Sequence, residues 1–375
     1  MARTSSPWYS AAECLGSGTA PAVASSEKPA RPEAVALKID YYLEESPLGA
    51  VSERAARARA LGFDGIFTAD TAHDPFLRVM AAASAAPDVE VGTSVAVAFA
   101  RSPMVVAQTA WDLASFTEGR FRLGLGTQVK PHIERRFSMP WSRPVERMAE
   151  FIGALRAIWD TWQNGTRLRF RGEHYSFTLM TPFFDPGPIA HPDVPVHIAG
   201  VGPRMSRLAG EMCDGYHVHP FHTVRYLREV TLPAMRAGAR AAGRSLDQVE
   251  MVSSVMVVTG RDESQIEESR LGVRRQIAFY ASTPAYSRVL DAHGWDFGPA
   301  LSGLATRGRW ERMVDLIPDE VVAEVAVEAP VDRLGSAIRA RYEGVLDRVG
   351  CYSMGDAISS ITDEEWATVL AQVRG

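Results

Sequence analysis

The sequence predicts a (β/α)8 TIM barrel with insertions after the fourth and seventh strands. Three observations carry that prediction. Eight short β-branched or aromatic runs recur between residues 35 and 352, nearly all separated by longer helical patterns, as expected of parallel strands joined by right-handed crossovers. Eight such units favour a closed barrel over an open, doubly wound sheet. Polar, glycine-rich and histidine-rich residues also collect directly after the runs, on the rim where barrel enzymes place their chemistry.

The elements follow in order. Residues 35–41 (VALKIDY) read as the first strand, and 48–61 as a helix that Gly62 closes as a C-cap. Residues 65–69 are the second strand, and 75–86 a helix with proline in its first turn. The third unit pairs a strand at 89–98 with a helix at 103–116, again opened by proline. Residues 121–126 (FRLGLG) are the fourth strand, followed by a long helix over about 144–162. Two short β runs at 167–177, around Arg171-Gly172-Glu173, signal a hairpin, and a Pro/Gly-rich connection runs to 195. Alternation resumes with strand 196–199, helix 203–212, strand 215–219, helix 223–242, strand 249–259 and helix 263–280. Residues 283–320 read as a second interruption. Helix 331–342, strand 345–352 and helix 363–373 complete the pattern.

The first 34 residues stand apart: Ala, Ser, Pro and Gly fill 20 of them, with no apolar period. Such a segment buries too little to offset its ordering entropy, so it is expected to be a disordered or loosely docked tail ahead of a barrel domain over 35–375. The 375 residues carry 40 Lys+Arg against 45 Asp+Glu, a formal charge of −5. That balance leaves no basic footprint for nucleic acid or an anionic membrane. No apolar run approaches a bilayer span, and three scattered cysteines make no disulfide framework. The expectation is a cytoplasmic enzyme.

The strand ends supply the candidate site. Asp70 follows strand two, where it enters the barrel mouth or caps the next helix, and His73 lies just beyond. Gly124-x-Gly126 and Gly200-x-Gly202 follow strands four and five. Each is either a plain turn or a side-chain-free approach for a planar ring or phosphate at a helix N-terminus. Arg204 would suit a phosphate. The opposite rim reads as Ala, Gly and charged caps. His217 and His219, two apart on a strand, share a side and leave open a metal pair, a ligand contact or a hydrogen-bonded rim. A metal-dependent barrel hydrolase would need further ligands, which the sequence does not supply. No metal is therefore expected. A barrel that has lost catalysis and serves only to bind a partner is a further alternative.

At ALGFDGIFTAD (60–70), VGTSVAVAFARSPMVVAQTAWDLASFTEGRFRLGLGTQVKPHIERRF (91–137) and VPVHIAGVGPRMSRLAGEMCDGYHVHPF (194–221) the chain resembles the bacterial luciferase-like superfamily. It is most similar to the F420-dependent luciferase-like oxidoreductases, and the likeness spans 35–375. The resemblance implies a barrel with insertions (here about 163–195 and 283–320), a deazaflavin ring in its mouth and a cis peptide at Ser94-Val95. Carried over by position, ring contacts fall to Asp70, Ser94 and Val95, with Thr127 and Gln128 nearby. Tail contacts fall to Ala199, Gly200, Val201 and Gly202, with His217 alongside. Two departures stand out. Thr71 replaces the histidine that often follows the strand-two acid, and Thr127-Gln128-Val129 lacks the glutamate of the sugar-phosphate dehydrogenase branch.

The implied activity is hydride transfer between F420 and an organic substrate. The protein positions the groups while the cofactor carries the chemistry. His73, whose ordinary pKa lies near working pH, is the candidate for proton transfer, and Asp70 would orient a ring edge. Tyr175, Phe177, Phe183, Phe184, Tyr286 and Trp295 of the insertions suggest an apolar or ring-containing substrate. An FMN-dependent two-component monooxygenase, served by a separate reductase, is the alternative on the same fold. The resemblance also implies a homodimer built on the helices at 75–86 and 103–116.

Overall fold

A computed structural model of the protein describes residues 36–43 and 47–375; the expected tail at 1–34 lies outside the described residues. Eight parallel strands close into a barrel: β1 (Lys38–Tyr42), β2 (Gly65–Thr68), β3 (Glu90–Thr93), β4 (Phe121–Gly126), β5 (Val196–Gly200), β6 (Gly215–Val218), β7 (Glu250–Val258) and β8 (Arg348–Tyr352). Each pairs with its sequence neighbours. The ring shuts where Lys38 and Asp40 of β1 meet Arg348 and Gly350 of β8.

Local chemistry sets the helices that cover it. Helix α1 (Leu48–Leu61) stops at Gly62, whose φ of 85° is left-handed, a conformation glycine adopts without steric cost. Asp74 caps α2 (Pro75–Ala85) through the N–H groups of Phe76 and Leu77, and Ser102 caps α3 (Pro103–Phe116). Proline occupies the first turn in both, where its missing donor costs nothing. Helices α4 (Pro144–Asn164), α5 (Pro203–Met212), α6 (Leu232–Ala241) and α7 (Glu263–Ala281) continue the ring. The single helix expected over 223–242 is instead interrupted by a π segment at Leu227–Thr231.

The sequence differs from the structure most at 283–320. That stretch is largely helical, with α8 (Ser287–His293), α9 (Gly298–Thr306) and a 3-10 segment at Trp310–Leu316, and α10 (Asp319–Val325) follows. Each piece has seven to nine residues, and Gly294, Gly298-Pro299, Gly308 and Pro318 break them before a helical period accumulates. Together with α7 and the far half of β7 they build a second apolar cluster around Met256, Ile277, Leu290, Leu301 and Val321, separate from the core between barrel and helices. The chain then runs through α11 (Leu334–Tyr342) and β8 to α12 (Asp363–Arg374), opened by a Thr362/Glu365 capping box. The hairpin after α4 forms as expected, between Phe170–Arg171 and Ser176–Phe177. Among the described residues no helix is long and apolar enough to cross a membrane.

The rim read as plain charged caps is an inward-facing ion network. Arg348, fully buried at the start of β8, pairs with both carboxylate oxygens of Asp40 (2.8 and 2.5 Å) and with Glu90. Glu250 lies 3.6 Å away, and Arg122 and Lys38 also reach Glu90. Burial alone would raise the Glu90 carboxyl, but Arg348, Arg122 and Lys38 outweigh it and hold it at about 2.

Candidate active site

The opposite, C-terminal end of the barrel holds one cavity of about 1410 Å3, larger than a typical small-ligand pocket. Every residue expected at the site lines it: Asp70, His73, Ser94, Val95, Thr127, Gln128, Ala199, Gly200, Val201, Gly202 and His217.

The strand expected over 89–98 is broken. β3 ends at Thr93, the Ser94-Val95 peptide is cis, and a short strand at Ala96–Val97 pairs with Leu125 and Gly126 of β4. Thr93 ties the two strands, its hydroxyl donating to Gly124 O (2.6 Å) and accepting from Gly124 N (2.9 Å). A Cβ on Gly124 would fall 2.0 Å from Thr93 O and 3.0 Å from His217 Nε2, so only glycine fits. Asp70 does not cap α2, a role Asp74 fills. Its carboxylate accepts from Val97 N (3.0 Å) and pairs with Arg101, which also reaches Asp74. Asp70 therefore braces the backbone just after the break. His73 is exposed at the rim.

Gln128 adopts a φ of 58°, rare for a residue with a side chain, and its side-chain oxygen accepts from Val129 N. The loop after β5 is fastened from behind. Tyr226 donates to Val201 O (2.9 Å), and the Ser206 hydroxyl meets the Tyr216 hydroxyl at 3.0 Å. The loop ends on the N-terminus of α5, which has no side-chain cap, and a Cβ on Gly202 would meet nothing within 4 Å. An open backbone at a helix N-terminus suits an anionic group. Arg204 points its charge elsewhere, pairing with Glu146 in solvent.

The two histidines of β6 do different things. His217 Nδ1 lies 3.1 Å from Ser94 Oγ, which in turn reaches the Tyr42 hydroxyl at 3.3 Å, while His217 Nε2 is buried without a hydrogen-bond partner among the described residues. Burial and then neighbouring His197 keep His217 neutral. His219 accepts from Phe221 N and meets the Tyr286 hydroxyl; burial pushes it to about 3. Among the described residues no three His, Cys, Asp or Glu side chains are placed to hold a metal ion, so the two rings do not form part of such a site.

Several wall residues go beyond the sequence expectations. Tyr42, Cys351 and Tyr352 come from the ends of β1 and β8, where DYY and CYS carry no glycine or histidine signal. His197 lies behind that wall, its ring 5.3 Å from that of His217; it shares strand parity with Ala199, a signal that could have found it. The insertion aromatics mostly lie off the cavity. Phe183 and Phe184 are exposed, Tyr175 packs on Phe151 and Arg147, and Trp295 stacks on His293. Tyr286 alone of that group lines it, joined by Trp141 and Tyr280.

Comparison with known proteins gives a consistent picture. The family model described as luciferase-like monooxygenase matches residues 32–348. An uncharacterized protein of Mycobacterium tuberculosis is 48% identical over 314 residues, covering 84% of this chain and 92% of that one. The F420-dependent glucose-6-phosphate dehydrogenase of Nakamurella multipartita is 31% identical over 234 residues, 59% of this chain and 67% of that one. Among solved structures, the coenzyme F420-dependent tetrahydromethanopterin reductase of Methanopyrus kandleri superposes with a TM-score of 0.71 at 19% identity, over 90% of this chain and 98% of that one. The oxygenating constituent of 3,6-diketocamphane monooxygenase of Pseudomonas putida, in complex with FMN, gives 0.63 at 15% identity, over 91% and 98%.

Proposed function

This chain belongs to the luciferase-like monooxygenase family, whose members are oxidoreductases and monooxygenases, and from that premise we propose that it is an F420-dependent oxidoreductase. It transfers hydride to or from an organic, ring-containing substrate. The observation that carries this reading is the cup itself. Side-chain-free backbone at Gly126, the neutral His217 ring, and the open Gly200-Val201-Gly202 turn at the α5 N-terminus line one cavity. Side-chain-free backbone beside an anion-compatible loop suits a deazaflavin ring with a phosphate-bearing tail.

In this proposal Ser94, Val95, Thr127 and Gln128 border the ring, and Ala199 to Gly202 receive the tail. His217 offers a hydrogen bond at a ring edge. Asp70, committed to Arg101 and Val97, acts by fixing the backbone against which the ring rests. His73, exposed at the rim, exchanges protons between cavity and solvent. The bound cofactor supplies the hydride chemistry; the protein orients the partners and excludes water. Thr127-Gln128-Val129 lacks the glutamate that the resemblance implies for the sugar-phosphate dehydrogenase branch, which turns the reading away from that substrate class.

FMN is the alternative cofactor, supported by the FMN-bound structural relative; a separate reductase would then supply it in reduced form. Fluorescence titration of the purified apo-protein with each cofactor decides between them. Tighter binding of F420, with no reductase-dependent oxygen uptake, is the expected result. Preferential FMN binding with oxygen uptake overturns it. Pairing of two copies through α2 and α3 is also proposed, because Leu77, Met80, Val105 and Phe116 leave large apolar groups exposed there. Light scattering at twice the chain mass is expected.

A further inference from the structure

The quadrant of the cavity between β6 and β8 holds aromatic side chains and hydroxyls: His219, Tyr280, Tyr286 and Tyr352. The rings pack edge-on or tilted, with His219 4.5 Å from Tyr280 and 4.4 Å from Tyr286 between centroids. The Tyr280 and Tyr352 hydroxyls are 3.2 Å apart. The charged residues lining this part, Arg288 and Asp356, are exposed at its mouth.

The hydrogen bonds fix the direction of every proton around His219. Phe221 N–H donates to Nδ1 at 3.1 Å, and an amide N–H can only donate, so Nδ1 must present its lone pair. Burial holds the ring neutral. Its single proton therefore sits on Nε2, which faces the Tyr286 hydroxyl at 3.0 Å. Nε2–H donates and the Tyr286 oxygen accepts. The Tyr286 proton is thereby left over for the cavity that the side chain lines. A hydroxyl already accepting a bond is a better donor through cooperative polarisation. What it needs opposite is an acceptor, and the neutral, aromatic surroundings favour an uncharged one attached to a ring.

The geometry points to Tyr286 as the donor to the carbonyl oxygen of a neutral, ring-bearing substrate, with His219 as the positioning residue that polarises it. This rests on the hydride-transfer reading above. When the carbonyl carbon gains hydride from the reduced deazaflavin, a C–H bond forms and the C=O π pair moves onto oxygen. The Tyr286 O–H bond breaks and its proton passes to that oxygen, giving an alcohol reduced by two electrons while the deazaflavin is oxidised by two. The phenolate is held by His219 Nε2–H and regains a proton from solvent at the cavity mouth.

The test uses cofactor-free protein and 4-(dimethylamino)cinnamaldehyde, whose absorption moves to the red when its carbonyl oxygen accepts a hydrogen bond. Wild type is expected to bind it with a red shift. Tyr286→Phe should still bind it, by tryptophan quenching and with an unchanged melting midpoint, but lose the shift. His219→Gln, which keeps an N–H at similar reach, should retain more of the shift than His219→Leu. With reduced F420 present, Tyr286→Phe should turn over the aldehyde roughly 100-fold more slowly at unchanged cofactor affinity. No binding by wild type, binding without a shift, or a shift that survives Tyr286→Phe overturns the assignment. Failure of wild type to bind F420, with the shift present and lost in Tyr286→Phe, would instead sink the hydride reading and leave the carbonyl contact supported.

Discussion

The two ends of this barrel bury polar groups in opposite ways. At the N-terminal end Arg348 is enclosed by Asp40, Glu90 and Glu250, and charge is met by charge. At the C-terminal end His217 is buried and His219 partly so, both stay neutral, and His217 Nε2 has no partner among the described residues. One strategy pairs the charges and closes the structure. The other leaves capacity unspent beside an open cavity. The difference separates what holds the ring of strands together from what is available to a ligand.

The largest expected effect breaks the closed end. Arg348→Met strands three carboxylates around a buried methionine, and breaking such a network costs about 3–5 kcal/mol. Thermal or urea unfolding should show it. Cofactor affinity, read well below the midpoint, should change by less than about threefold because the cup lies at the other end.

Acid titration sharpens the comparison, because the buried histidines and the Glu90 carboxylate fail in different windows. His219 is held at about 3 and His222 at about 4, both first by burial. The unfolded chain therefore binds more protons below its ordinary histidine pKa of ~6.5, and stability declines as pH falls from there toward about 3. Glu90, held at about 2, contributes stability that is complete above the unfolded value of ~4.3 and is lost as pH falls through about 2. Wild type should thus lose stability in two overlapping stages, measured by unfolding midpoints between pH 7 and 2. Glu90→Gln should flatten the lower stage, worth up to about 3 kcal/mol, and leave the upper one in place.

Gly124→Ala attacks the open end. Its Cβ meets the Thr93 carbonyl, which is backbone and cannot swing away. Overpacking of this kind costs about 1–3 kcal/mol, less than Arg348→Met. Displaced strand ends should nevertheless weaken cofactor binding about tenfold or more, equivalent to ~1.4 kcal/mol. The two variants should therefore rank in opposite order in a melting experiment and a cofactor titration. Equal rankings would show that the ends are not independent.

The same contrast explains what could be read from the chain. Alternating β and helical patterns, with Gly62, Pro75 and Pro103 marking boundaries, made the barrel legible because each signal is local. The rim loops were legible because Gly124, Gly200 and His217 are unusual residues at strand ends. The ion network was not, since Lys38, Glu90, Arg122 and Glu250 look like ordinary strand-edge charges until closure turns them inward. Tyr286 was visible only as an aromatic in a segment whose short helices carry no period. Its partner His219 lies 67 positions away, a separation that local reading does not bridge.

The smallest expected effect lies at the boundary between cavity and solvent. His73 is exposed and outside both buried systems, so His73→Asn should leave stability within about 0.5 kcal/mol and cofactor affinity unchanged. If its role is to pass protons in from solvent, the first turnover after mixing substrate with the reduced holoenzyme should proceed at the wild-type rate, because the donor within the cavity is already protonated. Later turnovers should slow by about two- to fivefold, a modest loss for a shuttle that water can partly replace, and added imidazole should restore them. Rapid-mixing absorbance separates the two phases. A slowed first turnover would instead place His73 at the reacting atoms and move the proton source from the β6–β8 quadrant to the β2 side of the cup.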